Sequence, residues 1–390
     1  MSRAVGKKVL RCTLWTLGAV VALIFAVLIA LYIPAVQRWG KDLALDKVNA
    51  TGPMRISVGD LRLRFPLHVS VEDVTVENYP GDTMATVASL SASARLLPLL
   101  RGVISIDGAD ASGVRYRMGT PDSVMYLTAD VRSLHVGSAA MHLAGGLIDV
   151  ERATLDGGRV NLDLNNDTTA TPADTAASQP LTIRAALLEL RSVHYSMTME
   201  GTIDSLGARI GHAVLRYGEV DMATRAINAQ SLSVDSLYAA YIYPPAETAA
   251  DTPAPATAEA AADSAMWTIR ADSIRLDGGH ALYALTGARP MPGLDMNYLQ
   301  ADGVGILVTG FYNRGTSITV PLRRLHAVER SGLQLDADGT FMMDTAGMSA
   351  RDFSINTLHS SLHIDASAGI TPARPFETAP LSIDGRLQLG

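Results

Sequence analysis

Residues able to carry covalent or metal chemistry are sparse in this 390-residue chain, and their spacing is wrong for it. Cys12 is the single cysteine, so neither a disulfide framework nor a paired-cysteine metal site can form. The sequence has no G-x-S-x-G elbow, no H-E-x-x-H helix and no Walker-type phosphate loop. His359 and His363 stand four apart, which on a helix would present two imidazoles to one ion. Here they fall in a strand-like stretch, where that spacing builds no such face, and they read as surface strand histidines. Gly303, Gly305 and Gly310 fail the dinucleotide fingerprint, because the third glycine is misplaced and no helix follows. The expectation is a protein that is not an enzyme and needs no cofactor.

The charge balance excludes a further class. A formal net charge of −7 with no clustered Lys and Arg argues against a nucleic-acid partner. Lysine occurs only at Lys7, Lys8, Lys41 and Lys47, so every later basic residue is arginine. By length the chain could fill two or three ordinary domains, but 48% hydrophobic residues are unevenly spread along it.

Residues 13–33 carry no charge at all. About 20 apolar residues in a helix cross a ~30 Å hydrocarbon layer, so this run is long enough to span. Arg3, Lys7, Lys8 and Arg11 precede it without an acid, while Arg38, Lys41 and Lys47 follow it mixed with Asp42 and Asp46. The positive-inside rule then leaves residues 1–12 as a cytoplasmic stub and puts the remainder across the membrane. A cleaved signal peptide is the competing reading. Its apolar region is about 7–15 residues with a small-residue cleavage site, and Tyr32-Ile33-Pro34-Ala35-Val36 is a poor one. Leu17, Val21, Ile24 and Leu28 are taken as anchor residues of a single-pass signal anchor. Residues 34–50, with Val36, Trp39, Leu43 and Val48 at helical spacing, predict a short amphipathic helix leaving the membrane surface.

Beyond residue 50 the apolar period changes from helical to two. Leu61-Arg62-Leu63-Arg64-Phe65 and Leu67-His68-Val69-Ser70-Val71 alternate, as do Val160 to Leu164 and Leu381 to Ile383. A finer pattern, apolar-x-apolar-x-x-apolar, recurs eleven times, for example Val69-Ser70-Val71-Glu72-Asp73-Val74 and Leu188-Glu189-Leu190-Arg191-Ser192-Val193. The step of three would throw the second apolar group onto the opposite face. A bulge or corner at the polar pair would restore the face and bend the strand. A bend repeated in strand after strand predicts a curved wall. The copies are irregularly spaced, which excludes a solenoid of fixed rung length. Residues 165–180 and 244–265 break the alternation with small, polar and proline-rich composition, and read as disordered loops inserted between strands. Pairs such as Asp174-Thr175, Asp235-Ser236 and Asp272-Ser273 fit two readings, O-glycan acceptors and turn or bulge chemistry.

The order of these segments carries a resemblance. Ile33-Pro34-Ala35-Val36-Gln37-Arg38-Trp39, then Arg55 to Leu67, Val69 to Val74, Tyr79-Pro80-Gly81-Asp82-Thr83 and Leu96 to Ile106, resembles the start of TamB-type members of the AsmA-like superfamily. It covers roughly residues 10–115 and is only textural beyond. The resemblance implies an inner-membrane anchor and a periplasmic β-groove. It implies phospholipid transport toward the outer membrane, or outer-membrane protein assembly with a TamA-like partner through a C-terminal region that this chain lacks. The combined expectation is a mainly β chain: an N-terminal transmembrane helix, then an elongated, curved, antiparallel-type β-sheet groove over residues 51–390, truncated at its C-terminus. Leu61, Leu63, Phe65, Leu67, Val69 and Val71 are the candidate groove lining, and membrane phospholipids the expected partner. A structural or adhesive β-rich ectodomain with a closed dry core is the alternative.

Overall fold

The period-two alternation becomes strands throughout the body. The computed structural model describes residues 33–51, 54–65, 67–78, 82–95, 98, 102–123, 125–142, 146–165, 181–199, 203–245, 266–315, 317–369 and 381–389. Helix α1 (Pro34–Thr51) leads into β1 (Met54–Arg64), β2 (His68–Asn78), β3 (Asp82–Arg95), β4 (Val103–Met118), β5 (Met125–Val136) and β6 (Ala139–His142). Then come β7 (Leu147–Leu164), β8 (Thr182–Met199), β9 (Ile203–Asp221), β10 (Ala226–Tyr243), β11 (Thr268–Leu285) and β12 (Tyr298–Arg314). The last are β13 (Ser317–Glu329), β14 (Gln334–Asp344), β15 (Gly347–Asn356), β16 (Ser360–Ala368) and β17 (Leu381–Leu389). All seventeen strands belong to one sheet. The anchor residues Leu17, Val21, Ile24 and Leu28 lie outside the described residues. No helix among the described residues is long and apolar enough to cross a membrane.

Each strand lies beside its successor, with β5 and β6 sharing one position between β4 and β7. The antiparallel expectation needs correction at two joints: β7 pairs with β8, and β10 with β11, in parallel. A parallel neighbour requires the chain to return along a whole strand, which takes a dozen residues or more. The two polar stretches expected as inserted loops fall at these joints. They separate Leu164 from Thr182, and Tyr243 from Thr268, so they connect parallel strands rather than decorate hairpins. Apart from Asn165, Pro244 and Pro245 they lie outside the described residues.

The phase slip is realised as expected. All eleven copies of the pattern sit in different strands, and in each the ladder is interrupted at the polar pair. The mechanism differs along the sheet. From β1 to β10 most interruptions are matched: one residue drops out of each strand and the register is unchanged, as where Gly59 and Asp73 are skipped between Val58↔Val74 and Asp60↔Glu72. From β11 onward true bulges shift the register.

The matched interruptions form one line across the sheet, running Gly59, Asp73, Ala88, Gly113, Arg132 and Gly157, then on through Ser192, Gly211 and Ser236. Asp73, Gly113, Gly157, Ser192 and Ser236 have left-handed backbone, while Gly59, Ala88, Arg132 and Gly211 do not. Left-handed and ordinary residues alternate across antiparallel pairs and repeat across the parallel pair Gly157/Ser192. Antiparallel neighbours cross the bend in opposite senses and parallel neighbours in the same sense. The facing residues converge tightly: a Cβ on Gly59 would stand 3.0 Å from that of Asp73, and one on Gly211 2.9 Å from that of Ser236. Glycine at one member of each of these two pairs makes the close approach sterically feasible; Asp73 and Ala88 face one another without one.

Helix α1 closes the first edge of the sheet. The Gln37 amide donates to the Leu63 carbonyl at 2.9 Å and accepts from its N–H at 3.2 Å. Asn49 does the same for Ile56 at 2.9 and 2.7 Å. Between them the Lys41 ammonium donates to the carbonyls of Val58 and Gly59. Three polar side chains thus stand in for the missing strand, satisfying an edge that would otherwise recruit another chain. Asn49→Ala should cost about 1–2 kcal/mol, since it removes two partly exposed hydrogen bonds each worth about 0.5–1 kcal/mol net. Hydrogen exchange should report it locally: the Ile56 amide exchanges faster in Asn49→Ala, and the Leu63 amide faster in Gln37→Ala.

Candidate functional site

The bend keeps every strand's apolar residues on one side, and register pairing aligns them into rows. Leu61 faces Val71, Val71 faces Leu90, and the row continues through Leu134, Leu155 and Leu190 to Val234, Leu276 and Ile306. It ends at Leu362 and Leu387, and every residue along it is Ala, Val, Ile or Leu. Fifteen strand spacings of about 4.8 Å make this row about 70 Å long. A second row, Val58, Val74, Val87, Val114 and Val131, runs on the other side of the bend line. Without the dropped residue between them, the two rows would lie on opposite faces.

Among the described residues no second layer seals the face. No large side chain is fully buried among the described residues, and the buried cluster is only Leu276, Val304 and Ala327, packed on neighbours such as Val234, Ala301 and Leu325 from the same strands. Two stacked sheets would bury their facing residues about 10 Å apart from one another. Here exposure varies along the row, from buried Leu276 to exposed Leu90 and Leu387.

Of the six candidate lining residues, the structure brings four together. Leu61↔Val71 and Leu63↔Val69 are direct cross-strand pairs on the apolar face. Phe65 does not belong with them: β1 ends at Arg64, and Phe65 is 82% exposed in the turn. Leu67 is half-buried just before β2, and its carbonyl accepts from the Ala94 N–H at 2.9 Å. The alternation continues through Phe65 in sequence, but Pro66 has no N–H to give a ladder and ends the strand there. Sequence reading missed an aromatic group on the same face. Tyr283 lies 5.6 Å from Tyr241 and 4.7 Å from Tyr243, ring centre to ring centre. Its signal was the alternation of Tyr241 and Tyr243 with the apolar phase of β10, in register with Tyr283 of β11.

The opposite face is polar and laced by cross-strand acid–histidine pairs. His135 meets Asp110 at 2.7 Å, His280 meets Asp302 at 2.7 Å, and His326 meets Asp336 at 2.8 Å. His212 bridges Asp235 at 3.2 Å and Glu189 at 3.0 Å, and Glu189 also accepts from Arg191. Asp235, then Glu189, raise the His212 imidazole above its ordinary value, while Arg191, then His212, hold the Glu189 carboxyl below its own. The raised His212 adds stability below the free imidazole value, about 6.5, and loses it as pH rises through its folded value. The depressed Glu189 adds stability above its free value, about 4.3, and loses it as pH falls through its folded value. His212→Gln should therefore lower the melting temperature most between about pH 5 and 6.5, with the difference from wild type shrinking toward pH 8.

His363 does lie on this polar strand face, hydrogen-bonded to Ser354. Its ligand atoms and those of Asp352 and Asp365 lie within 4.8 Å of one another, all exposed. His359 is not on a strand. It sits in the turn after β15, where its N–H donates to the Thr357 hydroxyl. Gly303 and Gly310 are left-handed kink positions of β12.

No family model, no curated protein and no solved structure matches the chain.

Proposed function

We propose that this chain is a membrane-anchored trough that shields lipid acyl chains in an extracytoplasmic space. Phospholipid is the cargo, moving from an inner membrane toward an outer one, and outer-membrane protein assembly with a TamA-like partner is the related role. The observation that carries the reading is the unbroken apolar row from Leu61 to Leu387, over which the described residues place no second layer. Each exposed methylene costs about 0.8 kcal/mol in water, so a two-tailed lipid needs shielding on the order of 20 kcal/mol. A bent sheet offers that shielding along its length with its backbone groups already paired, leaving a polar outer face to solvent. The N-terminal charge asymmetry and the apolar run at residues 13–33 supply the anchor, with the amino terminus in the cytoplasm. The reading involves no catalysis.

A closed, dry-core ectodomain is the weaker reading, since such a core fully buries large side chains. Native mass spectrometry of the purified chain separates the two. Co-purifying phospholipid, released by organic extraction, supports the trough; a chain that carries none and takes none from vesicles sinks it.

A further inference from the structure

The hydrogen bonds from Gln37, Lys41 and Asn49 fix how α1 is rotated about its own axis. At 100° per residue these three side chains share the half of the helix that faces β1, and Val36, Trp39 and Leu43 share the half that faces away. Of the four apolar residues at helical spacing, Val36, Trp39 and Leu43 thus form a stripe directed away from β1, while position 48 falls outside it. Trp39 is 67% exposed and Leu43 54%, and Ile33, at the helix start, is 47% exposed.

Two further observations say what covers the stripe. The charge-free run of residues 13–33 ends at the residue before the helix. Ile33 itself is a bend and Pro34 opens α1, a junction at which the residue before proline is driven out of helical backbone and the chain turns. A helix continuing straight out of a bilayer would carry Leu43 about 15 Å beyond Ile33, past a headgroup layer roughly 6 Å deep on each side. A helix turned into the membrane plane at Ile33–Pro34 would bring Trp39 and Leu43 both to headgroup depth, where tryptophan is favoured.

We infer that α1 lies in the plane of the lipid surface on its Val36–Trp39–Leu43 side, while its Gln37–Lys41–Asn49 side holds the β1 edge. The occupant of the stripe is the lipid bilayer, and the consequence is that the trough's first strand opens at headgroup level, where a lipid can enter sideways. This rests on the anchor reading proposed above, and the test keeps the two apart. The full chain, with Trp15→Phe and Trp267→Phe leaving Trp39 as the sole tryptophan, is reconstituted into nanodiscs of phosphatidylcholine and phosphatidylglycerol. Doxyl labels are placed either near the headgroup or deep in the acyl chain. A parallel chain keeps Trp15 alone. Trp39 is expected to be quenched at least twofold more by the shallow label than by the deep one, with blue-shifted emission. Trp39 emission that ignores both labels overturns the inference. If Trp15 is quenched in that case, the anchor stands and only the helix placement fails; if Trp15 is silent as well, the anchor reading falls with it.

Discussion

A chain carrying Leu63→Asp together with Val69→Asp should lose at least nine-tenths of the phospholipid captured by a photocrosslinking residue at Leu61. The pair sits face to face on the apolar side of β1 and β2, two residues along each strand from the Leu61↔Val71 pair. Two carboxylates at directly opposed positions repel one another and bring water onto the face. A tenfold loss amounts to about 1.4 kcal/mol, less than the transfer free energy of two methylenes, so the expected effect is a lower bound. Ser70→Asp supplies the control. It adds one carboxylate, half the charge of the double variant, to β2 on the other face, opposite Arg62, and should leave capture unchanged. Equal losses in both chains would mean that charge, not the apolar face, governs capture, and the trough reading would fail.

The second large effect concerns the bend. Gly113→Ala and Gly278→Ala place the same methyl group at almost the same left-handed backbone angle, φ +60° and +67°. Left-handed backbone costs an L-residue about 1–2 kcal/mol, which both variants incur. They differ in space: the new Cβ at Gly113 would lie 2.8 Å from that of Ala88, whereas nothing lies within 4 Å at Gly278. Over-packing adds about 1–3 kcal/mol, so Gly113→Ala should cost about 3 kcal/mol and Gly278→Ala about 1 kcal/mol in urea unfolding. Adding Ala88→Gly to Gly113→Ala should recover most of the difference, because it removes the atom being struck. Equal costs at the two sites would mean that the facing strands do not converge at the bend.

Much of this architecture was legible in the chain because side-chain period is a local property. Alternation such as Leu61-Arg62-Leu63 identified strands, and the polar pair after every second apolar residue identified where they bend. Phe65 marks the limit of that reading: it obeys the alternation and still leaves the strand, since one proline outweighs the pattern. Helix α1 marks another. Its spacing predicted an amphipathic helix leaving the membrane surface, but not that Gln37, Lys41 and Asn49 hold the β1 edge, because the unpaired backbone groups of an edge strand exist only in the assembled sheet. The parallel joints were hidden for a different reason. A polar stretch has the same composition whether it turns a hairpin or returns the length of a strand, and only its end points distinguish them.

The opening scarcity of catalytic residues now has a counterpart in what the chain does concentrate. From sequence alone come the strand content, the polarity of the two faces and the recurrent break in phase, all set by neighbours within a few residues. The tertiary structure decided what those properties add up to. Register across many strands aligned the matched breaks from β1 to β10 into one line and the apolar residues into one row about 70 Å long. Register is a relation between residues far apart in the chain, set by backbone hydrogen bonds that every residue offers alike, and so it leaves no local mark.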